Sequence, residues 1–347
     1  MSLDPRRVLA PTLAAMLVAL ALTGSAVLAH FAARRERTRR RERTRDLGRD
    51  LEAFAGGSLH PDDLLKALGA ADDESFWTAL ESWTLGHRLP LRLARLLRRD
   101  AHAAGERRAL RDDSPWRREL AARRLGLIPS RKNRRALRRA LTRGSEPVTL
   151  AAARALARHG DLAALDWLIA HPRALAHRTA RSHAELLRQF GRRGHPRLLA
   201  ALESEAALDP ATERAMLETL GDAAFVESAS AIARRLTHAD PELRVAAARA
   251  LGRLGAVNAG PALIVALGDP EWAVRAQAAR ALGRCGDARA IAPLGAALED
   301  RAWWVRRHAA FALARLGPAG RAELERVIAQ SSDRYAREMA DEALAAG

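Results

Sequence analysis

Cysteine is all but absent: Cys285 is the single one in 347 residues. One thiol cannot close an intramolecular disulfide, and it excludes a zinc or iron–sulfur centre built on thiolates. Lysine is nearly missing as well, with Lys66 and Lys132 standing among 58 basic residues. So uneven a choice of cation points to a GC-rich coding sequence, which also raises alanine. Part of the formal charge of +17 is therefore compositional background. Aromatic residues make up 4% of the chain, and β-branched residues are sparse, so a sheet has few of its usual builders. The signatures of catalysis are missing too: there is no G-x-x-x-x-G-K-[ST], G-x-S-x-G, H-E-x-x-H or C-x-x-C. His171, His177 and His183 are spaced by six, which does not bring them to one helix face, so they do not form a metal-ligand set. What remains is 48% apolar residues, led by alanine and leucine. Both are strong helix formers, and the chain reads as all-α with a sizeable core.

The charge is unevenly spread. Residues 1–60 carry a net +5, 61–87 a net −5, 88–143 a net +14 and 144–347 a net +3. The long C-terminal part is close to neutral, as a solvated surface is. The excess in 88–143 marks a contact for something anionic.

From Val8 to Ala29 no charged residue occurs. A helix of that length reaches about 33 Å, enough for a bilayer core of about 30 Å. A cleaved signal peptide is the competing reading, since Val27-Leu28-Ala29 resembles a cleavage site. The run exceeds the usual h-region, and RRERTR follows twice over residues 34–45, with eight arginines against two glutamates. By the positive-inside rule these place the flank after the run, and everything beyond it, in the cytoplasm and the N-terminus outside. The sequence thus predicts a single-pass membrane protein, with Arg34 to Arg45 able to touch anionic lipid. Gly48 and Gly56-Gly57 are expected to break the helix at a linker.

A repeat organises the rest. Leucine, or phenylalanine in its place, recurs in one context at Leu125, Leu156, Phe190, Leu220, Leu251, Leu282, Leu313 and Leu344. The spacing is 31 in five of the seven intervals, which signals a solenoid of stacked helical hairpins. In residues 269–300 the unit reads as a turn at Asp269-Pro270, a first helix, a break at Gly283, Gly286 and Asp287, and a second helix from Ala288 to Leu298. Asp269 suits an N-cap before Pro270, and Asp287 suits the cap of the second helix. Four residues before the marker, alanine stands at Ala121, Ala152, Ala247, Ala278, Ala309 and Ala340, where a small side chain lets neighbouring helices approach. Seven before it stands arginine, at Arg118, Arg244, Arg275, Arg306 and Arg337. The last four form a ladder, with either an anionic ligand or turn carboxylates such as Asp269 and Asp300 as its partners.

The string DP…VR…A…AL-G…G-D…A-I-P-L…L resembles the HEAT-like repeats of the phycobilisome-lyase type. The best copies are 240–268, 269–299 and 300–330. Residues 114–144 and 146–172 are weaker, and 173–208 and 209–239 are degenerate. The resemblance implies an α–α superhelix of about seven to eight repeats of ~31 residues, with second helices lining a concave groove. The expected organisation is an anchor over 1–33, an arginine-rich stalk over 34–57, a helical cap of three helices over 58–112 and the solenoid over 113–347. The family serves scaffolds, lyases and regulators alike, so the repeat identifies fold and not function. No His-Glu dipeptide occurs, unlike the ligand pairs of the di-iron hydroxylase built on such repeats.

These readings favour a membrane-anchored, non-catalytic adaptor for a protein partner, with no cofactor implied. The partner is expected to be acidic or membrane-associated and to meet Arg131, Arg134, Arg135, Arg138 and Arg139. These share a broad face of one helix whose other face carries Ala136, Leu137, Ala140 and Leu141. A nucleic-acid-binding or processing protein of the helical-repeat DNA glycosylase type, using 88–143, is the competing class, and a tetrapyrrole lyase is a third. Trp272 and Trp303, 31 apart, read either as wedges between repeats or as an aromatic platform beside Arg275, Arg306 and Arg307.

Overall fold

The computed structural model describes residues 5–86, 91–97, 101–175, 179–204 and 208–346; the side chains of 5–22, 24, 85, 86, 91, 175 and 180 lie outside the description. Helix makes up 82% of the chain, and no strand occurs among the described residues. The chain divides into two compact units, Met1–Asn133 and Arg134–Gly347.

The first unit holds α1 (Pro5–Ala55), α2 (Pro61–Ala70), α3 (Asp73–Gly86), α4 (Leu91–Leu97), α5 (Ala101–Ala109) and α6 (Pro115–Leu125). Four helices thus follow α1 before Pro115, where the sequence suggested three. The next helix, α7 (Arg131–Arg143), contains the point of division. Leu47, Leu51 and Phe54 recur at helical spacing on α1 and are buried, as are Phe76, Trp77, Leu80 and Trp83 of α3, on which α1 packs. The Trp83 indole donates to Glu52 at 2.7 Å, which satisfies its one polar group. Arg40 pairs with Glu74, and Arg43 reaches Asp72 at 3.4 Å. The acidic segment 61–87 therefore meets the arginines of the tandem hexapeptide within this unit.

α1 does not stop at the end of the apolar run or at Gly48. It continues to Ala55 and ends at Gly56-Gly57, where Gly57 takes φ +83°. Among the described residues no helix is long and apolar enough to cross a membrane. That finding overturns the expected single-pass anchor over Val8 to Ala29, together with the N-terminus-outside, cytoplasmic-repeat placement. The side chains of 5–22 and 24 lie outside the description.

The second unit continues with α8 (Glu146–Arg158), α9 (Leu162–Ala170), α10 (Ala180–Arg188), α11 (His195–Glu203), α12 (Pro210–Asp222), α13 (Ala229–Ala233) and α14 (Pro241–Leu254). It ends with α15 (Gly260–Ala266), α16 (Trp272–Cys285), α17 (Ile291–Ala297), α18 (Trp303–Arg315), α19 (Gly317–Gln330) and α20 (Arg334–Ala345). The first helix of each repeat packs on the first helix of the next, in the order α10, α12, α14, α16, α18, α20. The second helices α13, α15 and α17 are short, and each follows a 3-10 turn, whereas α19 runs 14 residues.

Every marker from Leu125 to Leu313 is buried, and Leu344 is half-buried. The six alanines four residues before the markers are all fully buried. The closest approach, however, falls one residue past the marker. A Cβ placed on Gly221 would meet the Cα of Ala250 at 2.8 Å. On Gly252 it would meet the Cα of Ala281 at 2.9 Å, and on Gly283 the Cα of Ala312 at 2.6 Å. Successive first helices thus touch backbone to backbone, and a side chain at this glycine has no flexible neighbour to displace.

Gly283→Ala is expected to destabilise the protein by about 1–3 kcal/mol through overpacking. Gly48→Ala, with nothing within 4 Å of the added carbon, should stabilise α1 by about 0.5–1 kcal/mol. Denaturant midpoints of the two variants moving in the same direction would contradict the packing assignment.

Candidate functional site

The arginines seven before the marker meet the turns. Arg244 donates from Nε and Nη2 to the two carboxylate oxygens of Asp269 at 2.7 and 2.9 Å, and from Nη1 to the carbonyl of His238 at 2.9 Å. Arg275 repeats the pattern on Asp300 at 2.6 and 2.9 Å, and on the carbonyl of Asp269 at 2.9 Å. Each guanidinium therefore closes its own turn and clamps the turn of the next repeat. Asp269 and Asp300 also accept from the backbone N–H of Glu271 and Ala302, both at 2.8 Å. For that reason Asp269 is not the N-cap of its helix. It caps the turn before Glu271, and α16 starts only at Trp272. Asp287, in turn, accepts from the Arg289 N–H at the 3-10 turn before α17.

The ladder is incomplete at both ends. Arg306 donates to the carbonyl of Asp300 at 2.9 Å. The residue at the clamping position is Ser331, and Arg306 Nε is buried without a hydrogen-bond partner. Arg337 is exposed on α20. One repeat before Arg244 the charge order is inverted: buried Glu213 occupies the arginine position and accepts from Arg235 Nε at 2.7 Å. In the first unit, Arg118 closes its own turn through the carbonyl of Asp112 at 3.0 Å.

The segment 88–143 engages many of its cations internally. Buried Glu106 accepts from Arg117 at 2.7 Å and from Arg124 at 2.9 Å. Arg107 donates at 2.8 Å to Asn133, which is itself buried. On α7, Leu137 and Leu141 are buried, while Ala136 and Ala140 are half-buried. Arg138 is committed: its Nε and Nη2 fork onto buried Asp161 at 2.9 and 2.8 Å, and Asp161 also caps α9. Arg131, Arg135 and Arg139 are exposed, and Arg134 is half-buried.

A second group gathers where first helices begin. Trp272, Trp303, Trp304 and Tyr335 are 47, 43, 49 and 61% exposed, so they are not wedges between repeats. Trp304 and Tyr335 stand 31 apart, as Trp272 and Trp303 do, a spacing that marks Tyr335 as a further member of the row. Trp303 and Trp304 meet edge to face at 4.6 Å. Arg307 lies over the Trp303 ring at 5.4 Å, and Arg306 over Tyr335 at 5.2 Å. Arg275 belongs to the ladder instead.

Cys285 is buried, and burial, helped by Asp287, pushes its thiol up to about 11. It is a packed side chain and not a nucleophile at neutral pH. Among the described residues no group of His, Cys, Asp and Glu gathers as a metal ion would need.

Residues 260–345 match the family model of HEAT repeats, and residues 243–269 match that of the PBS lyase HEAT-like repeat. This part of the chain carries HEAT-like repeats. No curated protein matches the chain. Among solved structures, an engineered protein is 20% identical over 87% of this chain and 93% of its own, with a TM-score of 0.42. The complex of CpcE and CpcF of phycocyanin lyase from a Nostoc species is 19% identical over 43% of this chain and 97% of its own, with a TM-score of 0.34. Human deoxyhypusine hydroxylase in complex with glycerol is 21% identical over 89% and 97%, with a TM-score of 0.31. At these scores none of the three bears on function.

Arg275→Ala is expected to cost about 3 kcal/mol, since it strands a half-buried carboxylate. Arg306→Ala, which lacks the fork, should cost about 1 kcal/mol. Burial works to raise the Asp300 carboxyl, but hydrogen bonds from Arg275 and the Ala302 N–H, with the Arg275 charge, outweigh it and hold the group below its ordinary value. The unfolded chain therefore takes up this proton first, so the stabilisation is complete above the unfolded value and is lost as pH falls through the depressed one. Urea midpoints followed from about pH 6 down to about pH 3 should fall for the wild type and fall less steeply for Asp300→Asn.

Proposed function

We propose that the protein is a non-catalytic HEAT-repeat scaffold that holds a protein partner against the exposed aromatic row at the starts of α16, α18 and α20. The row is the observation that carries this reading. Tryptophan, tyrosine and arginine dominate the residues on which protein interfaces depend, and nearly half-exposed indoles are unusual on a surface with no partner. The rigid stack holds them at fixed spacing, so little side-chain freedom remains to be lost on docking. The arginines of α7 with no carboxylate partner among the described residues, Arg134, Arg135 and Arg139, together with Arg131, add a preference for acidic surfaces. They would act chiefly on association rate and partner choice.

The test is recovery of the partner on immobilised protein from nuclease-treated extract. Trp303→Ala with Trp304→Ala should weaken recovery by more than about 30-fold, the equivalent of a hot-spot loss of 2 kcal/mol. Both rings are half outside already, so the melting temperature should barely move. Replacing Arg134, Arg135 and Arg139 with glutamine should lower recovery and its salt dependence together. Unchanged recovery in both variants would reject the scaffold reading, and loss of the captured species on nuclease treatment would reject its protein partner.

A further inference from the structure

The contact between successive first helices leaves a bare floor, made by the glycine one past the marker and the alanine one before the next. Residues two before and two after each marker stand as walls along it. Between α12 and α14 the walls are Glu218 and Asp222 facing Arg249 and Arg253, and Asp222 pairs with both Arg188 and Arg253. Between α16 and α18 they are Arg280 and Arg284 facing Phe311 and Arg315, with Arg307 lying over the Phe311 ring at 4.7 Å. Between α14 and α16 all four walls are arginine, Arg249, Arg253, Arg280 and Arg284, and they line one recess together.

These four enclose a recess of about 460 Å³ over Gly252 and Ala281, and no acidic or aromatic side chain lines it. Arg253 shares Asp222 at its outer edge. No carboxylate partner accompanies Arg249, Arg280 or Arg284 among the described residues. Burial holds the Arg284 guanidinium below its ordinary value, and so do the charges of Arg280, Arg315 and Arg253. Like charges on neighbouring turns and on facing helices repel, so folding alone gives no reason to gather them. His308, beside Arg280, is kept toward its neutral form by burial and by Arg280 and Arg307, so it adds little positive charge of its own to the recess.

We propose that this recess binds a compact polyphosphate, the diphosphate or triphosphate group of a small ligand. Four guanidiniums offer many paired N–H donors, which match the several charged oxygens of linked phosphates better than one carboxylate. Gln277 adds an amide at the wall. With no ring to stack on, a base or sugar contributes little, and recognition rests on the phosphates. The carboxylates of α12 on one side and Glu342 of α20 on the other bound the basic stripe. At about 8–10 Å between packed helices, the stripe is two to three helices wide, too short for a long phosphodiester track.

Titration calorimetry of the full chain with inorganic pyrophosphate and with ADP, at fixed low ionic strength, tests the site. Both should bind once per chain with similar affinity. Arg280→Gln with Arg284→Gln should weaken both at least tenfold at an unchanged melting temperature. Arg154→Gln with Arg158→Gln, the same register positions on α8, should leave binding intact. Pyrophosphate binding no tighter than sulfate, or full affinity in the Arg280/Arg284 variant, would overturn the proposal. So would a glutamate-rich peptide binding as tightly as pyrophosphate, or oligonucleotide affinity that grows with strand length.

Discussion

Backbone contact between consecutive first helices sets the rest of the second unit. Gly221 on Ala250, Gly252 on Ala281 and Gly283 on Ala312 fix the distance at which one repeat meets the next. At that distance the marker leucines from Leu220 to Leu313, and the alanines four before Leu251, Leu282 and Leu313, become fully buried. The same approach brings the turn aspartate of one repeat within reach of the arginine of the repeat before it. Packing and polar pairing are thus two results of one spacing, and they fail together if it is lost.

Much of the architecture was legible in the sequence. A 31-residue period with a leucine marker needs only apolar burial to become a stack, and the matches over 243–345 agree with that reading. The start of α16 was less legible, because a carboxylate that serves a guanidinium and an N–H at once sits two residues earlier than a simple cap does. The four-helix content of 61–109 was hidden by the lack of glycine or proline between α4 and α5. Gly48 misled in the other direction, since a lone glycine inside a long helix lowers its stability without ending it.

Charge counting was the least faithful guide to the surface. A net +14 over 88–143 says nothing of how many of those arginines are spent on Glu106, Asn133 and Asp161. Conversely, the near-neutral C-terminal part conceals a local excess, because the acids that balance it lie on other helices. The arginines two residues to either side of the markers recur with the same period as the leucines, so the sequence carries that excess in its register and not in its net charge. The apolar run of α1 shows the same limit for hydropathy: a sequence window does not say where the helix that contains it ends.

The fork from Arg244 or Arg275 always points forward, to the aspartate of the following repeat, while its third nitrogen closes the turn of its own. The coupling therefore has a polarity, as a hook and an eye do. A unit copied in place brings both its hook and its eye, and joins the array at either side without any new residue. The array can lengthen by duplication with its joints already made. Where the eye is serine, as at Ser331, the hook of Arg306 is left to find other company, and it lies across Tyr335.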